Sequence, residues 1–252
     1  MAVTYLVKTY NGYAYGDTLY ELTEELGYRH RMTKAANRDG AFSDASLHDP
    51  RRVSGTGELV GAVNAQGIPA QDIASLRAAA DAFKAAHQPG PPAPLMLDSD
   101  RYLNAQVERL SLKLDGLLYA VELSFLAYDP FWYAVASTTM ALAQNAATAV
   151  TPGGMAKSLP IFTLVVSAAP TGSLITIANA QDVALTFAPP AAGTYTVDCL
   201  QERIVDQAGG DQTAYMTGDF LALIAGANQI TLTLAGGVAL SGQSVTWQDR
   251  WV

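Results

Sequence analysis

The chain is short of charge, cysteine and unbroken apolar runs, and each shortage removes a class of function. Only 15% of its 252 residues are charged, against about 25% in an average soluble protein. The net charge is −8, and the basic pairs Arg29/Arg31 and Arg51/Arg52 are local, so no clustered Lys/Arg footprint for nucleic acid exists. Cys199 is the single cysteine, which excludes an intramolecular disulfide and any CxxC metal or redox site and fits synthesis in a reducing cytoplasm. Met1–Tyr10 has neither a basic n-region nor a long apolar core, and is read as no signal peptide. No stretch of about 18 apolar residues occurs, so no membrane insertion is expected. The closest run, Met140–Val150, is broken by Gln144 and Asn145.

Catalytic signatures are scarce too. His30, His48 and His87 lie far apart, none with a second ligand at zinc spacing. His87 ends a predicted helix, where a cation suits the dipole. Asp98 and Asp100 suit turn and capping chemistry better than a carboxylate pair across a cleft. Gly55-Thr56-Gly57 lacks the third glycine and following helix of a dinucleotide loop, and no nucleophile elbow or P-loop is found. The sequence points to no enzyme, no cofactor and no metal.

What is present divides into two halves of different character. Up to about Trp132, strands, charged loops and one helix alternate. Gln71–His87 is that helix: Ile73, Leu76, Ala80 and Phe83 form an apolar stripe, and Pro89-Gly90-Pro91-Pro92 ends it. It either covers one face of a sheet or serves as an interaction helix. Thr4–Tyr10 and Arg52–Val63 read as strands, while Tyr28–Asp49 is polar and without apolar period, a solvated loop or an arm that meets a neighbour. Ala134–Ser158, small and polar with Thr151-Pro152-Gly153-Gly154, reads as a connection. Beyond it come short strands, Ile161–Ser167, Leu174–Asn179, Val183–Phe187, Thr194–Leu200, Gln229–Leu234 and Ser244–Trp247, separated by Pro/Gly turns, the pattern of an antiparallel sandwich. The expected organisation is residues 1–136 as a first domain, 137–158 as a linker and 159–252 as a second, all-β domain.

The most distinctive segment is Glu108–Tyr133. Two apolar strands meet at Asp115-Gly116, predicted as a type I′ turn, and stop at Asp129-Pro130-Phe131-Trp132, where the proline ends the ladder. Leu110, Leu112 and Leu114 share one face of the first strand; Tyr119, Val121, Leu123 and Phe125 share one face of the second. These side chains fill the chain's own core or meet another subunit. Pro130, Phe131 and Trp132 are read as packing anchors at the exit from the first domain.

A strand closing on Asp-Pro-Phe-Trp at the end of an N-terminal domain resembles the distal tail (Dit) proteins of long-tailed bacteriophages. In the second half, Pro160 opening a strand, Thr194-Tyr195-Thr196-Val197-Asp198, Gly218–Leu223 and Gly226-Ala227-Asn228-Gln229-Ile230 look like that family's pattern. The series runs in the family's order over essentially the full length. Gly226 and Asn228 would suit a tight left-handed loop.

The resemblance implies a mainly β protein with one helix. An N-terminal β-sandwich or belt domain (α+β) would be followed by a C-terminal galectin-like antiparallel β-sandwich. It implies a structural component of the virion tail tip or baseplate, synthesised in the host cytoplasm. Six copies would form a ring that joins the tail tube protein to the tail-associated hub protein and passes DNA through its lumen. On that reading Leu110, Leu112, Leu114, Tyr119, Val121, Arg29 and Arg31 are candidate subunit-interface residues. The alternative is a carbohydrate-binding module contacting host-surface glycans, with Tyr195, Tyr215 and Trp247 as candidate stacking rings; Trp247 equally suits packing.

Overall fold

The structure, a computed structural model, describes residues 9–15, 19–25, 28–34, 41–60, 73–97, 99–180 and 183–252. The chain forms two compact units, Met1–Trp132 and Tyr133–Val252. Of the predicted strand Thr4–Tyr10, only its last two residues are described; Asp98 and the start of the predicted helix, Gln71, fall outside.

The first unit contains β1 (Thr9–Tyr10), β2 (Tyr13–Ala14), β3 (Leu19–Glu25), β4 (Tyr28–Lys34), β5 (Ala41–His48), β6 (Arg51–Leu59), α1 (Ile73–Ala86), β7 (Ala93–Met96), β8 (Arg101–Asp115) and β9 (Leu118–Ala127). Seven strands of this unit follow one another in one sheet in the order β2-β1-β7-β8-β9-β6-β3, and β4 and β5 form a separate two-stranded sheet. Tyr28–Asp49 is therefore not a structureless loop. Among the described residues its strands pair only with each other.

Helix α1 buries Leu76, Ala80 and Phe83, whereas Ile73 is 59% exposed, so the apolar stripe is one residue shorter than its periodicity predicts. Phe83 and His87 stack at 4.2 Å beside Tyr10, Tyr13, Tyr15 and Phe125. His87 is the largest departure from expectation: it is 2% exposed and is no solvated cation at a helix end. Its Nδ1 lies 2.6 Å from the Phe83 carbonyl oxygen, and its Nε2 lies 2.5 Å from the Tyr15 hydroxyl. Burial lowers its pKa below 6.5, only partly opposed by the bond to Phe83. The neutral ring, with Nδ1–H donating and Nε2 accepting, satisfies both partners.

The β8–β9 turn also differs in detail. Asp115 pairs with Leu118, so the central residues are Gly116 and Leu117. Only Gly116 has positive φ, +62°. That is the pattern of a type II′ turn, glycine at the first central position, in place of type I′.

The strand β10 (Trp132–Ala134) carries the chain into the second unit, which contains β11 (Thr138–Ala141), β12 (Ala146–Val150), β13 (Ile161–Ala168), β14 (Leu174–Asn179), β15 (Ala184–Phe187), β16 (Gly193–Asp198), β17 (Arg203–Asp206), β18 (Met216–Gly218), β19 (Asn228–Ala235), β20 (Ala239–Trp247) and β21 (Arg250–Trp251). Two five-stranded sheets, β11-β20-β13-β16-β17 and β12-β19-β14-β15-β18, enclose the core. Inward residues alternate with outward ones, placing Phe162, Leu164, Ile175, Ile177, Phe187, Val197, Ile230 and Leu232 in one cluster, as face-to-face sheets require. Residues 137–158 are not a linker. Thr138–Ala141 pairs with β20 and Ala146–Val150 with β19. Cys199 lies inside this core, 3% exposed.

Of the two residues assigned to a left-handed loop, Gly226 has φ +85° and Asn228 does not. Asn228 is buried instead. Its Oδ1 accepts from Ile224 N–H at 3.0 Å and its Nδ2 donates to the Gly226 and Ile224 carbonyls at 2.8 and 2.9 Å. The side chain closes the loop that glycine geometry opens.

Candidate interaction surfaces

The β8–β9 hairpin is shaped by a bulge. Val107 faces Phe125 and Arg109 faces Ser124, leaving Glu108 as the extra residue. An inserted residue shifts the side-chain phase by one. Before it the odd residues Leu103, Ala105 and Val107 are buried; after it the even residues Leu110, Leu112 and Leu114 continue the same face, opposite Leu123, Val121 and Tyr119. Glu108 is held on the other face by Arg52, whose Nε and Nη2 donate to it at 2.7 Å each, and by the Ser124 hydroxyl at 3.0 Å. The Arg52 bonds are the main reason the Glu108 carboxyl sits below its ordinary pKa.

Along this apolar face exposure rises toward the turn. Phe125 and Val121 are buried, Leu110, Leu112 and Tyr119 are half-buried, and Leu114 and Leu117 are 57% and 50% exposed. The structure thus brings together Leu110, Leu112, Leu114, Tyr119 and Val121, but Val121, 1% exposed, is closed off inside the chain's own core. Arg29 and Arg31 do not join this strip. They lie on β4, in register with Leu47 and Asp44 of β5.

Strand β8 outruns its neighbour β7. Strand β7 pairs with β8 only from Tyr102 to Ala105, while β8 continues to Asp115. At the opposite margin of the sheet stands β3. The two ends of the strand order are β2 and β3.

At the exit from the first unit, Trp132 Nε1 donates to Glu24 Oε1 at 3.1 Å. The same carboxylate oxygen is hydrogen-bonded and ion-paired to Arg51. The Arg51 guanidinium sits 5.7 Å from the centre of the Trp132 ring and is 2% exposed. Pro130 and Trp132 are buried and Phe131 is half-buried. The sequence offered no sign of this ion pair, because Glu24 and Arg51 are brought together only by the β3–β6 register.

In the second unit the three proposed stacking rings differ in access, and Trp247, though largely buried, lines a surface groove. Tyr195 and Trp247 are 3% and 4% exposed and belong to the core, where large rings maximise burial; only Tyr215 is open, at 50%. The Tyr195 hydroxyl donates to the Ala191 carbonyl at 2.9 Å. Among the described residues, no three His, Cys, Asp or Glu side chains converge as a metal site, and no helix is long and apolar enough to cross a membrane.

No protein-family model matches the chain, and no curated protein sequence matches it. Comparison with solved structures is decisive for the fold. The crystal structure of SPP1 Dit (gp 19.1), titled a paradigm of the hub adsorption apparatus in Gram-positive infecting phages, superposes with TM-score 0.75 over 99% of each chain at 17% identity. The chain has the distal tail protein fold. Two structures of the phage P2 baseplate in its activated conformation, with Ca and with Sr, match at 8% identity. They cover 89% and 92% of this chain and 87% and 90% of theirs, with TM-scores of 0.46 and 0.49, too low to add weight.

Proposed function

We propose that this chain is a distal tail protein, a structural subunit of the virion tail tip of a long-tailed phage, made in the host cytoplasm. The observation that carries the reading is the full-length fold likeness to SPP1 Dit. In the assembled state six copies close into a ring through their first units. The ring joins the tail tube protein on one face to the tail-associated hub protein on the other, and DNA passes through its lumen without being recognised.

Two features support ring closure. The stretch of β8 beyond its pairing with β7 and the margin strand β3 belong to one sheet, and joining the one to the other between subunits is heterologous and propagates around an axis until it closes. Along this stretch of β8 runs an apolar strip whose exposure rises to Leu114, and its exposed end is most readily buried against another subunit. Arg29 and Arg31, on the β4–β5 arm, provide a second contact with a neighbour. Pro130, Phe131 and Trp132 anchor the exit to the second unit.

Native mass spectrometry of the purified chain should show six copies. Leu114→Asp, at a position too exposed to matter to the monomer core, should shift the population to single copies with an unchanged circular dichroism spectrum. A wild-type chain that stays monomeric at high concentration would overturn the ring.

A further inference from the structure

A groove of about 410 Å³ opens on the second unit, within the size range of small-molecule sites. Its floor is a cross-strand row on the solvent face of the first sheet: Asp198, Ile161 and Thr246 are register neighbours on β16, β13 and β20, with Leu159 alongside. One wall is the turn after β16. Asp198 Oδ1 accepts from the Leu200 and Gln201 N–H groups at 2.9 and 3.0 Å, and Cys199 N–H donates to the Pro160 carbonyl at 3.1 Å. These bonds hold Gln201 and Leu200, the latter 55% exposed, at the groove. The facing wall is equally fixed. Arg250 donates through Nη1 to the Lys157 carbonyl at 3.1 Å and lies 5.1 Å from the Tyr133 ring centre, while Gln248 Nε2 donates to the Ala134 carbonyl at 3.1 Å. A groove built before its ligand arrives loses little entropy on binding.

The lining selects the ligand by its chemistry. Aliphatic surface from Leu159, Ile161 and Leu200 alternates with hydrogen-bonding groups from Asp198, Gln201 and Ser137. An acyl chain would leave the carboxylate and amide unmatched in an apolar contact. A phosphate would meet the Asp198 carboxylate, no lysine lines the groove, and its one guanidinium is engaged by Lys157 and Tyr133. A pyranose has what is needed, apolar C–H faces bounded by hydroxyls that both donate and accept. We propose that this groove binds a neutral saccharide, with Leu200 and Ile161 under the sugar ring and Asp198 and Gln201 on its hydroxyls. The inference is independent of ring formation, and its readout is separate.

The full chain should be applied to an array of neutral oligosaccharides of glucose, galactose, N-acetylglucosamine and N-acetylgalactosamine, and the strongest probe titrated calorimetrically. Leu200→Ala and Gln201→Ala, both on exposed side chains, should each weaken binding by about tenfold with the fold intact by circular dichroism. Tyr215→Ala, an exposed ring that does not line the groove, should leave affinity unchanged. Absence of binding to every probe would overturn the proposal. So would binding that survives both groove variants or depends on Tyr215.

Discussion

At the scale of single residues, two buried groups control measurable behaviour. Cys199 sits in the sandwich core, where burial, reinforced by the neighbouring Asp198 charge, pushes its thiol up to about 12. A thiol that neither ionises nor meets solvent does not react. Native protein should therefore resist a disulfide reagent at mildly alkaline pH, whereas one thiol per chain should titrate once guanidinium unfolds it. His87 sets a pH limit. Its folded pKa lies below 6.5 because the ring is buried, so in acid the unfolded chain takes up a proton that the folded chain refuses. The His87 contribution is fully present above about pH 6.5 and is lost as pH falls toward the folded-state pKa, at up to ~1.4 kcal/mol per pH unit. Denaturant midpoints followed from neutral to mildly acidic pH should show this slope, and His87→Gln should flatten it. Neither residue announced itself in the sequence. A histidine two residues before a proline looks like a solvated helix end until Tyr15, far away in sequence, is seen to bond it.

At the scale of elements, what the sequence revealed depended on how deeply a strand is buried. The central strands β13, β14, β16 and β19 alternate apolar and polar residues because one face is core, and their positions were legible to within a residue or two, apart from the trailing end of β16. Four of the strands that composition hid, β11, β12, β17 and β18, are the margins of the two sandwich sheets. Thr138–Ala141 is exposed at every position, so no burial imposes alternation on it. The hairpin leucines were legible as a face, but the Glu108 bulge that aligns that face with Val107 and Leu103 was not. Packing of loops against strands yields a further test. At Gly154 a Cβ would lie 2.3 Å from the Arg250 carbonyl oxygen and 2.5 Å from its amide nitrogen. Both are backbone atoms that cannot swing aside, so Gly154→Ala should destabilise the second unit by about 1–3 kcal/mol. Thermal unfolding of the variant would show it. Loss of the Glu24 carboxylate facing buried Arg51 should cost the first unit on the order of 3 kcal/mol, measurable as a lowered denaturant midpoint in Glu24→Gln.

At the scale of the whole molecule, the fold class was readable in the sequence, and the full-length likeness to SPP1 Dit agrees with it; the composition also changes near Trp132, where the chain divides into two compact units. The place of division was less readable, because edge strands of small residues resemble a tether. The difference decides how the ring proposal should be dissected. A fragment ending at Ser158 carries β11 and β12 while removing β20 and β19, their partners. It therefore presents two orphan strands with both edges open, an invitation to non-specific pairing. A fragment ending at Trp132 follows the boundary between the compact units, retains the Glu24–Arg51–Trp132 cluster, and keeps β3 and β8. If ring contacts reside in the first unit, this shorter fragment should assemble to the same copy number as the full chain by light scattering. The fragment ending at Ser158 should give heterogeneous aggregates. A monomeric 1–132 fragment beside a hexameric full chain would move the ring contacts to the second unit and retire β8 as the seam.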